Sequence, residues 1–315
     1  CSYNLYYGWY LGEVTDNDSW FDHYHEEFPD RIIGLSEFGA DANPAYHSVH
    51  PEKGDYTEEY QALYHEHMLK MWSERPYLWA IHVWNMFDFG ADGREEGGKP
   101  GQNQKGLVTF DRQIKKDAFY IYKAYLSKEP FVHLCGKRFV KRPGKETTIK
   151  VYSNQPEVSL EVDGKLVETK TGEKVFEFTI PLKEKQAIRV TSGDLFDEFI
   201  LEQTDALLSE YVCPGREVIN WFERDDMKIV EGYYSIKDSV NDLLKNPEAA
   251  EIFESVMSRV KAAYGEVAQK IEMPKEMQEM MNRAPFESLL QQSGNIISVD
   301  EIVSINRQLS RIQKE

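Results

Sequence analysis

Three cysteines in 315 residues, Cys1, Cys135 and Cys213, are too few and too scattered for a disulfide framework or a paired zinc-ligand spacing. No apolar run approaches the ~18 residues of a membrane-spanning helix. Cations are also scarce: 37 Lys and Arg stand against 54 Asp and Glu, giving a formal net charge of −17. Phosphate neutralisation needs clustered Lys and Arg, so this balance argues against a nucleic-acid partner and against an anionic membrane surface. No charged stretch with an apolar core opens the chain, so no signal peptide is read, and Cys1 in place of Met points to sequence upstream. No internal repeat or low-complexity tract is found.

What is present is globular composition, 41% hydrophobic and 29% charged, on a length that suits two or three domains. The composition shifts along the chain. All eight histidines and 13 of the 18 tyrosines lie at or before His133, whereas six of the nine methionines lie after position 225. These shifts place three domains at residues 1–132, 133–205 and 206–315.

The first domain alternates strands with helices. Strands are expected at Leu5–Tyr10, Arg31–Glu37 and Leu78–Trp84, and helices at Ser19–Phe28, from the Thr57 N-cap to Pro76, and at Lys115–Leu126. In the last helix Phe119, Tyr122, Tyr125 and Leu126 are expected to face inward. Strand followed by helix, three times over, implies a parallel sheet with covering helices. Both faces of such a sheet are buried, so Ile32 and Trp79 are expected inside.

The second domain reads as all-β. Ile149 and Val151; Val158, Leu160 and Val162; Phe176, Phe178 and Ile180; Ile188 and Val190; and Phe199 and Leu201 each alternate with polar residues. Asp163-Gly164 is a hairpin turn signal. Short strands at this spacing suggest an immunoglobulin-like β-sandwich. The third domain is helical. Asn246-Pro247 opens one helix carrying Ala250, Phe253, Met257, Val260 and Tyr264, and Ser298-Val299-Asp300-Glu301 is a capping box.

Glu37, in Gly34-Leu35-Ser36-Glu37-Phe38-Gly39-Ala40, stands out chemically. It ends an apolar strand, where sites of α/β folds gather, and a charge there is either salt-bridged or functional. Aromatic and amide residues close the other strands, in Tyr3-Asn4-Leu5-Tyr6-Tyr7-Gly8-Trp9-Tyr10 and in Ile81-His82-Val83-Trp84-Asn85. Flat apolar faces beside polar edges suit a sugar ring. Core packing is the competing reading for half of these rings. His65-Glu66-His67 and His23/His25 are spaced by two and so point to different helix faces, which excludes a zinc motif; no metal is expected. Met273, Met277, Met280 and Met281 fit a helix core.

The strings YYGWY, LSEFGA, EEYQ, HVWNMFDF and NQKGLVTFDR, with KKDAFYIYKAY following, resemble glycoside hydrolase family 2 in order and spacing. The resemblance covers about residues 1 to 130 and is nearest the β-galactosidase branch of gut bacteria. It implies the C-terminal part of a (β/α)8 barrel, followed by an immunoglobulin-like sandwich and a helical tail. It also implies a retaining β-galactosidase with Glu37 as nucleophile, no cofactor, a β-linked glycoside substrate and a cytoplasmic bacterial location. Asn4, Tyr6 and Tyr10 match substrate-side positions, Tyr6 as the hydrogen-bond partner of the nucleophile, and Trp84 matches the floor of the sugar subsite. Asn103-Gln104-Lys105 resembles the Asn-x-Lys motif of β-glucuronidases, so Asn103 and Lys105 raise that sugar as the alternative. The family's acid/base glutamate follows an asparagine, and no Asn-Glu pair occurs in this sequence. The isolated chain is therefore expected to be inactive, with its open sheet covered by self-association or by an upstream barrel segment. A carbohydrate-binding module or an interaction fragment are the non-catalytic alternatives.

Overall fold

The computed structural model describes residues 1–92, 94–215, 218, 229–263, 282–293 and 296–314. The chain divides into two compact units, Cys1–Val218 and Ile219–Glu315.

The first unit opens with a parallel sheet of β1 (Ser2–Asn4), β2 (Ile33–Phe38) and β3 (Leu78–Val83), in that spatial order. Helix α1 (Asp16–Glu27) links β1 to β2, and α2 (Glu58–Ser73) links β2 to β3. Thr57 caps α2, its Oγ1 accepting from the Tyr60 amide at 3.1 Å, while Glu58 and Glu59 complement the positive end of the helix. Phe21, Ile33, Leu35, Phe38, Tyr64, Met68 and Met71 form the core between sheet and helices. Each such side chain contributes about 1.5–3 kcal/mol on burial.

Three expectations are corrected here. Leu5–Tyr10 is not a strand: the Tyr6 carbonyl accepts from the amides of Trp9, Tyr10 and Leu11, and Gly8 takes a φ of 85°. The aromatic run has strand propensity, but the left-handed glycine makes a turn. Trp79 is 60% exposed and Ile32 69% exposed. Ile32 precedes β2, and Trp79 follows buried Leu78, so the two-residue period sends it to the opposite face. In α3 (Asp117–Leu126) the buried residues are Asp117, Ala118, Ile121 and Ala124; Tyr122 and Tyr125 are partly buried against the core as expected, but Leu126 is exposed. Small residues face inward because Ile121 and Ala124 pack with Ala62 and Leu69 of α2.

Between β3 and α3 lies a hairpin of β4 (Phe89–Gly90) and β5 (Gln102–Asn103). Eight further strands follow: β6 (Val132–Leu134), β7 (Lys141–Pro143), β8 (Glu146–Ser153), β9 (Glu157–Val162), β10 (Lys165–Thr171), β11 (Lys174–Pro181), β12 (Lys185–Ser192) and β13 (Leu195–Thr204). They form two sheets, ordered β11-β8-β6 and β10-β9-β12-β13-β7. Their alternating apolar residues, from Ile149 and Val151 to Ile188, Val190 and Leu201, share one core. Asp163 and Gly164 both have positive φ, as a two-residue hairpin requires. Phe196, in β13, is exposed.

The second unit contains α4 (Val240–Leu243), α5 (Pro247–Ala263), α6 (Phe286–Gln292) and α7 (Val299–Leu309) among the described residues. Val240, Leu243, Phe253, Phe286, Leu290 and Leu309 form its core. Asn246 Oδ1 accepts from the amides of Glu248 and Ala249 at the start of α5. Ser298 and Glu301 close the reciprocal capping box of α7. Tyr264, Met273, Met277, Met280 and Met281 lie outside the described residues. Among the described residues no helix is long and apolar enough to cross a membrane.

Candidate functional site

Glu37 is the penultimate residue of β2 and is half-buried. Its backbone carbonyl accepts from the Leu5 amide at 3.0 Å, which fixes the segment after β1 beside it. One residue on, the Tyr6 hydroxyl donates to Glu37 Oε2 at 3.1 Å, and the turn at Gly8 that follows brings Tyr10 back beside it. Burial, reinforced by the negative charge of Glu37, raises the Tyr6 phenol well above its ordinary range. Tyr6 therefore remains a proton donor to the carboxylate at all physiological pH values.

Tyr10 lies next, its ring 5.1 Å from that of Tyr6. Its hydroxyl accepts from two cations, Lys105 Nζ at 2.9 Å and Arg94 Nη2 at 2.7 Å. Lys105 is 1% exposed and ion-paired with Asp41, which also faces Arg94 at 3.5 Å. Burial opposes ionisation of Asp41, but Lys105 and Arg94 together hold its carboxyl below the usual range. Lys105 also sits over the Tyr10 ring, 4.7 Å from its centroid. An unbroken set of contacts thus runs from Glu37 through the Tyr6 and Tyr10 rings to the Lys105–Arg94–Asp41 cluster.

Trp84 enters through the backbone. Its amide donates to the Phe38 carbonyl at 2.8 Å, continuing the β2–β3 pairing past Glu37. A Cβ at Gly39 would overlap the Trp84 carbonyl oxygen, so the two strand ends approach as closely as a glycine permits. The Trp84 ring meets Phe89 edge-on at 5.7 Å. Asn4 and Asn103 are turned to other partners. Asn4 Oδ1 accepts from Ser36 Oγ at 2.8 Å, and buried Asn103 Oδ1 accepts from the Lys105 amide at 3.0 Å. Asn103 thereby shapes the turn that delivers Lys105.

Sequence reasoning missed Asp41, Arg94 and the pair beneath them, Lys116 and Asp88. Lys116 is fully buried and donates to Asp88 Oδ1 at 2.9 Å, to the Ala42 carbonyl at 2.6 Å and to the Gln104 carbonyl at 2.8 Å. It fastens the loop after β2 to the loop that carries Lys105. Asp41, a second acid just past β2 in Glu37-Phe38-Gly39-Ala40-Asp41, was the one readable signal. Arg94 sits in a loop with no periodicity, and 28 residues separate Asp88 from Lys116.

A half-buried carboxylate aimed by a phenol, beside an aromatic cluster with cationic donors, can attack or protonate an oxygen-rich ring. No family model matches the chain. Among curated proteins it is 38% identical over 213 residues to a β-glucuronidase of Bacteroides fragilis, covering 60% of this chain and 30% of that protein. It is 34% identical over 122 residues to a β-glucuronidase of Streptococcus agalactiae, covering 36% and 19%. Among solved structures it is 46% identical to an FMN-binding β-glucuronidase of Faecalibacterium prausnitzii L2-6, with a TM-score of 0.66 over 68% of this chain and 33% of that one. A Bacteroides fragilis protein provisionally assigned as a β-galactosidase is 31% identical, with a TM-score of 0.61 over 64% and 32%.

These relatives are β-glycosidases.

The chain spans about a third of the length of the first of them.

Proposed function

We propose that this chain is part of a retaining β-glycosidase in which Glu37 is the nucleophile. The observation that carries the reading is the Tyr6–Glu37 hydrogen bond at a strand end, because a nucleophilic carboxylate must be held ionised and aimed. Glu37 attacks the anomeric carbon and forms a glycosyl-enzyme, which water then hydrolyses. Retention requires a second carboxylate ~5–5.5 Å away as acid/base, which the proposal assigns to a segment outside this chain. In this reading residues 1–132 are the C-terminal part of a (β/α)8 barrel of the glycoside hydrolase family 2 kind. Residues 133–205 are an immunoglobulin-like sandwich, and residues 206–315 a helical module. Tyr10 and Trp84 line the sugar subsite.

For the sugar, the names of the curated relatives and the Lys105–Arg94 pair at Tyr10 favour a β-glucuronide, whose carboxylate suits fixed cations. A β-galactoside is the second reading, favoured by the neutralisation of Lys105 by Asp41 and by the structural relative assigned as a β-galactosidase. The test is to incubate the full-length enzyme carrying this segment with activated 2-fluoro β-glucuronide and β-galactoside and to map the modified peptide. Covalent label on Glu37 from the glucuronide is the expected result. Label from the galactoside alone reverses the choice of sugar, and label on another residue overturns the nucleophile.

A further inference from the structure

His133 and Cys135 stand two apart on and just beyond β6, so both side chains leave the strand on the same face. That face meets Asp117, the first residue of α3. One ligand atom from each of Asp117, His133 and Cys135 lies within 4.8 Å of the other two, and all three residues are buried. We propose that these residues form a binding site for a single zinc ion, separate from the Glu37 cluster.

The donor set is one thiol, one imidazole and one carboxylate, which suits a borderline-soft divalent ion and not calcium or magnesium. His133 Nε2 and Asp117 Oδ1 share a hydrogen bond at 3.0 Å, and Arg138 Nη2 reaches the same oxygen at 3.5 Å; a zinc ion would take the place of the His133–Asp117 bond. The outer contacts are those of a metal-binding histidine. Its other nitrogen, Nδ1, faces Asp197 Oδ2 at 3.6 Å, and Tyr120 stacks flat on the ring at 3.5 Å. Asp117 Oδ2 accepts the Gly136 amide at 2.6 Å, which aims Oδ1 at the cluster. Asp197 is itself held by the Leu134 amide and by Lys137.

Access is available. Asp117 and Cys135 both line a cavity of about 720 Å³ that also borders Phe139, Arg142 and Lys150. Water from this cavity completes the fourth position, and the proton released by the Cys135 thiol on binding leaves the same way. Thiolate and carboxylate then balance the two positive charges of the ion. The ion ties the first turn of α3 to β6, and so fastens the helix following the Lys105 loop to the first strand of the two-sheet region.

The experiment uses the 315-residue chain with Cys1→Ser, because an exposed N-terminal cysteine chelates metals by itself. Chelator-treated protein is titrated with zinc by calorimetry and with cobalt by absorption spectroscopy. One equivalent is expected to bind, and the cobalt form should show a thiolate-to-metal charge-transfer band. Cys135→Ala should abolish that band, and His133→Gln should weaken zinc binding by at least about tenfold. Circular dichroism of the metal-free variants checks that they fold. The cobalt spectrum of the unaltered site decides the matter if they do not. Absence of stoichiometric binding, a bound cobalt without the charge-transfer band, or binding unchanged in folded Cys135→Ala would each overturn the site.

Discussion

The phenol of Tyr6 and the carboxylate of Glu37 meet at 3.1 Å although 31 residues separate them. The contact exists because the Leu5 amide is bonded to the Glu37 carbonyl, which sets the next residue beside the carboxylate. Tyr6→Phe removes the donor without removing the ring. In the full-length enzyme carrying this segment, kcat for a nitrophenyl β-glycoside should fall by roughly 10²-fold, with a smaller change in KM, because the bond orients the nucleophile and not the leaving sugar. Glu37→Gln should cost roughly 10³-fold or more. Near-normal turnover by the Gln variant excludes the proposed role.

Lys116 satisfies Asp88 and two buried carbonyls at once. Lys116→Met should destabilise the first unit by about 3–5 kcal/mol, since an uncompensated buried carboxylate remains. Lys116→Met with Asp88→Asn should recover part of that loss. Urea titration followed by tryptophan fluorescence measures both. A single variant within about 1 kcal/mol of the parent chain would show that the cage is dispensable.

His65 lies wholly buried between Phe38 and Tyr122, and burial, with a smaller effect from Lys116, pushes its pKa down to about 3 from 6.5. The folded state thus binds this proton less readily than the unfolded chain. The associated stability is complete above pH 6.5 and is lost progressively as pH falls toward 3. The slope should approach about 1.4 kcal/mol per pH unit in that window. Comparing urea midpoints of the parent and His65→Gln at pH 7, 6 and 5 tests this. Parallel pH profiles would refute it.

The sheet β1-β2-β3 leaves one edge of β1 and one edge of β3 unpaired within the described residues, and Trp79 of β3 is exposed. Unpaired parallel edges recruit other strands. Light scattering of the purified 315-residue chain should therefore report a mass above 36.7 kDa, and assays with nitrophenyl β-glucuronide and β-galactoside should detect no hydrolysis. A soluble monomer with robust turnover would contradict both expectations.

Local signals were legible where one physical rule governs. Thr57, Asn246 and Ser298 cap helices because their oxygens reach unpaired amides a few residues away. Alternation in β8, β9, β11 and β12 shows which side chains fill the core, and Asp163-Gly164 turns where both residues take positive φ. Glu37 could be picked out because a charge at the end of an apolar strand needs a reason. The misreadings came from rules in competition. Aromatic content suggested a strand at Leu5–Tyr10, and one glycine overruled it. The Lys105–Asp41 and Lys116–Asp88 pairs were invisible because each joins loops 28 to 64 residues apart, a distance over which no periodicity carries information. His133-x-Cys135 likewise has meaning only once α3 brings Asp117 against it.

The hydrogen atom that Gly39 carries in place of a side chain has a further implication. It lets the Trp84 carbonyl close on the backbone two residues beyond Glu37. The position of the proposed nucleophile and that of the proposed sugar platform are therefore not two adjustable quantities. Variation that shifts one strand end displaces the other with it, so a change of substrate must come from the loops, at residues such as Arg94, rather than from the strands that carry Glu37 and Trp84.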